Sequence, residues 1–178
     1  ELERIWHCLG DGETMSSSCW HLFRVRPENH PARRLVGAAY LLARFMKTGL
    51  FEGVLQLGTE ARLSVERLET SFMVSAPEPC FNSGRNLIGQ GRAREIVINI
   101  ILPFAFAWGE ASLQRSLAEQ VSALYRSYPR AGGSGITREL AGLLLGAGAH
   151  ELEDSAQRQQ GLIHLDKTFC RQRRCATC

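Results

Sequence analysis

The chain has 178 residues, of which 44% are hydrophobic and 22% charged, and its formal net charge is +3. This composition is typical of a globular protein long enough to bury one core, and it excludes a disordered polypeptide. The mild net charge indicates neither a nucleic-acid nor a membrane partner by itself. The most apolar run, residues 96–108, is too short to cross a bilayer, and the first twenty residues show no secretory signal pattern. We therefore predict a cytoplasmic protein with no membrane segment.

The N-terminal third contains the clearest predicted helix. Residues 1–8 are interpreted as the end of a helix and residues 10–18 as a flexible connection, which divides the chain into 1–18 and a helical domain over 19–178. The spacing then predicts a helix over 32–47, with a proline at its start and Gly49 after it. Its apolar residues recur on one stripe, which we expect to face the core: Leu35, Ala39, Leu42 and Met46.

Two helices are predicted in the middle of the chain. The first covers 60–75, with Ala61, Val65, Leu68 and Phe72 on its inner stripe. The second covers 92–108 and is apolar nearly all round, so we expect it to be central to the core, with Trp108 as a core anchor. Pro103 is expected to kink or split this helix, because proline removes a backbone hydrogen bond.

The C-terminal third continues the helical pattern. Helices are predicted over 112–128, 137–145 and 154–169, the last of them capped by Asp154. Residues 20–25 alternate in part and could form a short extended piece, but no convincing strand is predicted. The predicted fold class is therefore all-α, an irregular multi-helix bundle with a Cys-rich C-terminal tail.

The tail contains three thiols within nine residues, Cys170, Cys175 and Cys178, spaced C-x4-C-x2-C. A C-x2-C pair lets two sulfurs face one cation, and plant-type iron–sulfur clusters use this spacing with a distant fourth cysteine. We predict a zinc ion or an iron–sulfur cluster here. The fourth ligand is expected to be Cys80, with Cys19, Cys8 or His164 as alternatives, and neighbouring arginines are expected to favour the thiolate. The competing interpretations are unligated thiols in a frayed tail and a Cys175–Cys178 redox pair.

Two motifs in the sequence could bind phosphate groups. The first is the loop that leads into the predicted helix over 32–47, with Arg26, Arg33 and Arg34. The second is the glycine-containing turn at 89–91, followed by Arg92 and Arg94. That turn lacks the third glycine of the dinucleotide fingerprint, and no clear strand precedes it. An ordinary solvated surface and a simple helix entry are the alternatives to a phosphate site.

Catalytic motifs are absent from the sequence. His150 and Glu151 have no second histidine at the spacing of a zinc protease, and the glycine-rich run at 132–136 lacks the second glycine of a nucleophile elbow. No paired carboxylates have a context that indicates acid–base chemistry. The sequence therefore predicts no catalytic residue in this chain.

Residues 26–35, Arg-Pro-Glu-Asn-His-Pro-Ala-Arg-Arg-Leu, resemble the R-P-x-N-x-P-x-x-R-[LI] motif of an uncharacterised bacterial family, domain of unknown function 2851. Residues 159–165, which lead into the tail cysteines, are also similar, as are Asn99 and Pro103 within an apolar helix. The resemblance covers about residues 20–178. It implies a protein roughly twice this long, with an N-terminal half whose motifs are reminiscent of a restriction-endonuclease-like nuclease, although fold-level analogy assigns no site.

Three hypotheses follow. The first is a metal-stabilised helical accessory domain of a larger bacterial protein that acts on DNA or RNA, with that protein's own N-terminal half as a partner. The second is an iron–sulfur or redox module. The third is a plain helical interaction or scaffold domain that needs no metal. The identity of the metal, zinc or iron, separates the first two hypotheses. Folding and partner binding that do not change when the tail thiols are removed would favour the third.

Overall fold

The computed structural model describes residues 16–20, 22, 25–26, 29–59, 64–75, 86–146, 148 and 154–178. Most of these residues are helical, so the predicted all-α class is confirmed. The α-helices in the described residues are α1 (Pro31–Phe45), α2 (Leu50–Thr59), α3 (Val65–Phe72), α4 (Gln90–Ile96), α5 (Leu102–Ala111), α6 (Arg115–Ser127), α7 (Gly135–Leu145) and α8 (Ala156–Leu165). Shorter helical pieces are the 3₁₀ turns Ser17–Cys19 and Cys175–Thr177 and the π-helical segments Val97–Ile101 and Asp166–Cys170.

A small pair of strands, which the sequence did not indicate, joins α3 to α4. β1 (Val74–Ser75) pairs antiparallel with β2 (Asn86–Ile88), and Val74 lies opposite Ile88. The predicted helix over 60–75 is therefore too long at its C-terminal end. Residues 60–63 lie outside the described residues, and α3 begins after Ser64, whose side chain accepts a hydrogen bond from the backbone N–H of Arg67 at 3.3 Å.

α1 is oriented opposite to the prediction. Leu35, Leu42 and Met46, which the periodicity assigned to the core, are 60%, 63% and 58% exposed. The inward side is instead built around Gly37, where a Cβ atom would lie only 3.2 Å from the side chain of Ile88. α1 thus packs on β2 through a glycine and carries an apolar stripe on its outer side. Periodicity finds an apolar stripe but does not say which of two faces meets the core.

The central helical stretch runs from Gln90 to Ala111 without a break, although Pro103 lies inside it. The π-helical segment Val97–Ile101 precedes the proline, and the N–H of Leu102 donates to the carbonyl oxygen of Val97, five residues back. This wider turn accommodates the proline ring, and the π-helical segment divides the stretch into α4 and α5. The stretch buries one side only: Val97, Ile98, Ile101, Leu102 and Ala105 are buried, whereas Ile100, Phe104, Phe106 and Trp108 are exposed.

Trp108 is therefore not the core anchor that was predicted. It is 39% exposed, and its ring packs edge-on against Phe51 of α2, with centroids 4.5 Å apart. Phe51 also contacts Phe104 at 5.4 Å. The three rings form an aromatic cluster near the surface, where edge-to-face pairs are favourable.

The main core lies between the inner side of α1, α3, the strand pair, the central helical stretch and α6. Its largest fully buried side chain is Tyr128, just after α6. A smaller cluster of Leu140, Ala141 and Leu162 joins α7 to α8. α8 is capped by Ser155, whose side chain accepts from the N–H of Arg158, and not by Asp154 as predicted.

Candidate functional site

A cleft of about 450 Å³ opens between α1, β2 and the start of α4. One face of α1 lines the cleft, and it carries Arg34, Ala38 and Leu41 at helical spacing. β2 forms the floor, and α4 supplies the opposite wall. The remaining lining residues are Asn29, Asn86, Leu87, Ile88, Gly89, Arg92, Glu95 and Ile96. The cleft therefore brings together Arg34 and Arg92, two of the arginines that the sequence assigned to phosphate binding from separate motifs.

Among the residues that the structure describes, each of these two arginines has one polar side-chain partner. The Arg34 guanidinium donates to the Oδ1 atom of Asn29 at 2.8 Å, and this neutral partner leaves its positive charge in place. Arg92 forms an ion pair with Glu95 at 2.5 Å, one helical turn further along α4. Both side chains of that pair are well exposed, 48% and 39%, so the pair contributes little stability and can exchange partners.

The other arginines of the first basic motif lie beside the cleft. The guanidinium of Arg33 donates to the backbone carbonyl of Asn86 at 2.9 Å, which ties α1 to the edge of β2. Arg26 is exposed, and its carbonyl accepts from the N–H of Asn29 at 2.8 Å. The loop before α1 thus holds Asn29 in position to orient Arg34.

Arg94, also predicted to bind phosphate, does not line the cleft. Its guanidinium donates to both carboxylate oxygens of Glu69, at 2.6 and 3.3 Å, and also contacts the backbone carbonyl of Arg130 at 3.4 Å. Glu69 accepts further hydrogen bonds from Gln90 at 2.9 Å and from the hydroxyl of Tyr128 at 3.4 Å. Arg94 therefore has a partner inside the fold, and this arrangement connects α3 to α4 and to the segment after α6.

The electrostatics of this network follow from burial and charge. Burial alone raises the pKa of Glu69, but the hydrogen bonds from Arg94 and Gln90, together with the positive charge of Arg94, outweigh it and hold the pKa below its ordinary value. The hydrogen bond to Glu69 raises the pKa of Arg94. Burial, followed by the nearby Glu69 carboxylate, raises the pKa of Tyr128 well above its usual range, so its hydroxyl remains a donor.

Sequence reasoning missed Glu69 and Gln159, two buried side chains that form hydrogen bonds in this region. Glu69 is 2% exposed and shares the inner face of α3 with Phe72. An acid on an apolar helical stripe is the signal that could have found it, because such a carboxylate needs a buried partner. Gln159 is also 2% exposed, and its amide joins α8 to the loop after Tyr128 by contacts to Ala131 and Gly132.

The tail cysteines are all exposed free thiols in the structure. Cys170 ends the second π-helical segment, whereas Cys175 and Cys178 flank a 3₁₀ turn in which the N–H of Cys178 donates to the carbonyl of Cys175 at 3.3 Å. Among the residues that the structure describes, no group of three or more His, Cys, Asp or Glu could hold a metal ion. Cys80, the predicted fourth ligand, lies outside the described residues, as does Cys8.

The arginines of the tail do not act on Cys170 as predicted. Desolvation of its sulfur, followed by the charge of Asp166 and by the neighbouring thiols, raises the pKa of Cys170. Arg171 is bound to Asp166 at 2.8 Å, and Arg174 lies over the ring of Phe169. The predicted fourth-ligand alternative His164 lies 3.4 Å from the Thr168 hydroxyl, one turn along the same helical stretch.

The described residues form a mainly helical domain with a small strand pair and a cleft lined by both charged and apolar side chains. In the described residues no helix combines the length and the apolar character needed to cross a bilayer. The family described as a protein of unknown function, DUF2851, matches residues 7–132, more than two thirds of the chain, and the chain belongs to this family. The match includes every residue of the cleft, whereas the tail cysteines lie beyond it. No curated protein and no solved structure matches the chain.

Proposed function

We propose that the chain is a helical accessory domain whose cleft binds nucleic-acid phosphate through Arg34 and Arg92. The observation that carries the proposal is the meeting of these two arginines, from widely separated parts of the sequence, at one concave site. Arg26 and Arg33 lie next to the cleft and add positive charge near its α1 side.

The carboxylate of Glu95 competes with phosphate for Arg92. An exposed pair of this kind contributes about 0–1 kcal/mol, so a phosphate group in the cleft can displace it. Because two guanidinium groups of the described residues line the cleft, we expect weak binding, with a dissociation constant roughly between 10⁻⁴ and 10⁻⁶ M at physiological salt.

Fluorescence anisotropy with a labelled oligonucleotide tests the proposal. Arg34→Gln and Arg92→Gln should each weaken binding and reduce the slope of log affinity against log salt by about 0.7, the value for one lost phosphate contact on a single strand. Arg138→Gln, which removes an exposed arginine from α7, is the matched control and should bind as the parent chain does. Binding that is unchanged in both cleft variants would show that the cleft is not a phosphate site.

A second role, docking to the rest of a longer family protein, is supported by the outward stripe of α1. Leu35, Leu42 and Met46 leave a row of apolar surface opposite the core, and such surfaces in a domain commonly mark an interaction site. We propose that the N-terminal half implied by the family resemblance covers this stripe. Co-expressed as a separate chain, that half should co-purify with this one, and Leu42→Asp should abolish the association. Leu143→Asp, at an exposed leucine of α7, is the control and should leave it intact.

A metal at the tail stays a prediction. The support for it is the C-x4-C-x2-C spacing and the exposure of all three sulfurs, which makes them accessible to a cation. Zinc and an iron–sulfur cluster both suit thiolate donors. If neither is present, the interpretations that remain for the tail are unligated thiols and a Cys175–Cys178 redox pair.

A further inference from the structure

We infer that the cleft takes an unpaired nucleotide, with its phosphate on Arg34 and Arg92 and its base against the apolar lining, and that duplex nucleic acid does not enter it. This inference rests on the proposed function and deepens it by naming the form of nucleic acid that fits.

Both helical walls of the cleft carry a cation and apolar side chains. On α1 the lining begins at Arg34 and ends at Leu41, two helical turns or about 10 Å further on. On α4 it passes from Arg92 to Ile96, about 6 Å along that helix. A site with cations and apolar side chains on both walls matches a small ligand that carries an anionic group close to a flat apolar group.

The floor of the cleft is fixed by tight packing. Leu87 and Ile88 of β2 are each 7% exposed, and they lie against Gly37 of α1, where an added Cβ would be 3.2 Å from Ile88 and 3.4 Å from Leu87. The floor is therefore a rigid apolar surface at the base of a concave site. A volume of about 450 Å³ is in the range of small-molecule sites, which suits a single nucleotide.

The charges of the cleft argue in the same direction. Glu95 lies between Arg92 and Ile96 along the wall of α4, so a continuous phosphate backbone would meet a carboxylate after the first cation. Its oxygens can instead accept a hydrogen bond from the exocyclic amine of a base, a group that is exposed when the base is unpaired. In a duplex the bases are stacked inside, so the apolar side chains of the cleft would gain no contact with them.

The test compares three probes against the full chain: a labelled single-stranded oligonucleotide, the same sequence as a blunt duplex, and inorganic phosphate as a competitor. We expect the single strand to bind at least tenfold more tightly than the duplex, and inorganic phosphate to compete only weakly. Equal affinity for the two oligonucleotides would overturn the inference while leaving the phosphate site itself intact. Failure of Arg34→Gln and Arg92→Gln to weaken binding would instead overturn the proposed function.

Ala38→Leu tests the position of the base directly. Ala38 is exposed on α1 and lines the cleft, so leucine there fills the space without disturbing the core, and it is a good helix former. We expect at least a tenfold loss of single-strand affinity with unchanged thermal stability. Ala43→Leu, at an exposed position of the same helix that does not line the cleft, is the matched control and should bind normally. If both variants bind as the parent chain does, no base occupies the cleft.

Discussion

Glu69 and Arg94 form a two-point ion pair that joins α3 to α4 inside the protein. The guanidinium donates to the two carboxylate oxygens at 2.6 and 3.3 Å, and the Glu69 side chain is only 3% exposed. Tyr128 and Gln90 complete the coordination of the carboxylate. Gln90 and Arg94 lie on either side of Arg92 in the sequence of α4. The ion pair between Glu69 and Arg94 therefore also holds the α4 wall of the cleft in place.

Glu69→Gln should destabilise the protein by about 3 kcal/mol, because it leaves the guanidinium of Arg94 without its counter-charge in a largely buried site. The measurement is the free energy of unfolding from urea titration at neutral pH. Glu95→Gln is the matched control: it breaks the exposed pair with Arg92 and should cost less than about 1 kcal/mol. If the two variants lose similar amounts of unfolding free energy, the Glu69–Arg94 pair contributes no more to stability than a surface ion pair does.

The Glu69 pair should also make stability depend on pH in the acid range. The pKa of Glu69 is lowered in the folded state from its ordinary value of 4.5, so the unfolded state binds a proton first as the pH falls. The stabilisation is therefore fully present above about pH 4.5 and is lost as the pH falls through the lower, folded-state pKa. Urea titrations across this range should show the free energy of unfolding falling with pH in the parent chain, and falling less steeply in Glu69→Gln. Identical pH profiles would contradict the assigned ionisation.

Gly109 should not tolerate alanine. It lies where α5 meets α6, and a Cβ atom there would be 3.0 Å from the backbone nitrogen and 3.1 Å from the Cβ of Ala118. Since backbone cannot move aside cheaply, we expect Gly109→Ala to destabilise the protein by roughly 1–3 kcal/mol. Gly142, on the exposed side of α7, has nothing within 4 Å, and Gly142→Ala should stabilise by about 0.5–1 kcal/mol. Thermal unfolding of the two variants measures the difference in their stability. If both substitutions stabilise the protein, the close approach of Gly109 to Ala118 is contradicted.

The sequence predicted which segments are helical better than it predicted how they pack. Periodicity and the proline at its start located α1, and the stripe containing Leu68 and Phe72 located α3. The outward orientation of Leu42 was not predictable, because an apolar stripe that contacts another surface looks the same in sequence as one that contacts the core. The β1–β2 pair was missed because strands of two and three residues carry no readable alternation.

The sequence indicated the residues of the candidate site but not which of them lie together. Arg34 and Arg92 were chosen from two basic motifs, but only the three-dimensional packing of α1 against β2 shows that they share a cleft. Arg94 belongs to the same motif as Arg92, two residues away, and on a helix such neighbours point to different sides. Its partner Glu69 lies 25 positions earlier, a separation at which sequence patterns carry no pairing information.

The tail thiols give the last prediction, which concerns the metal. With the three sulfurs exposed, a maleimide reagent should label Cys170, Cys175 and Cys178 in the metal-free chain, and Cys170 should react more slowly than an ordinary thiol because its pKa is raised. If the tail binds zinc as predicted, Zn²⁺ should protect all three together with the fourth ligand, which mass spectrometry of the labelled peptides would identify.

Mg²⁺ is the matched control for zinc protection, because it prefers oxygen donors and should leave the labelling unchanged. Cys175→Ser together with Cys178→Ser should remove the protection of Cys170, since a single tail thiol cannot retain the ion. Elemental analysis and an absorbance spectrum of protein purified without oxygen would separate zinc from an iron–sulfur cluster. Full labelling with and without Zn²⁺, in protein that contains no metal as purified, would contradict the metal prediction and leave the tail as exposed thiols.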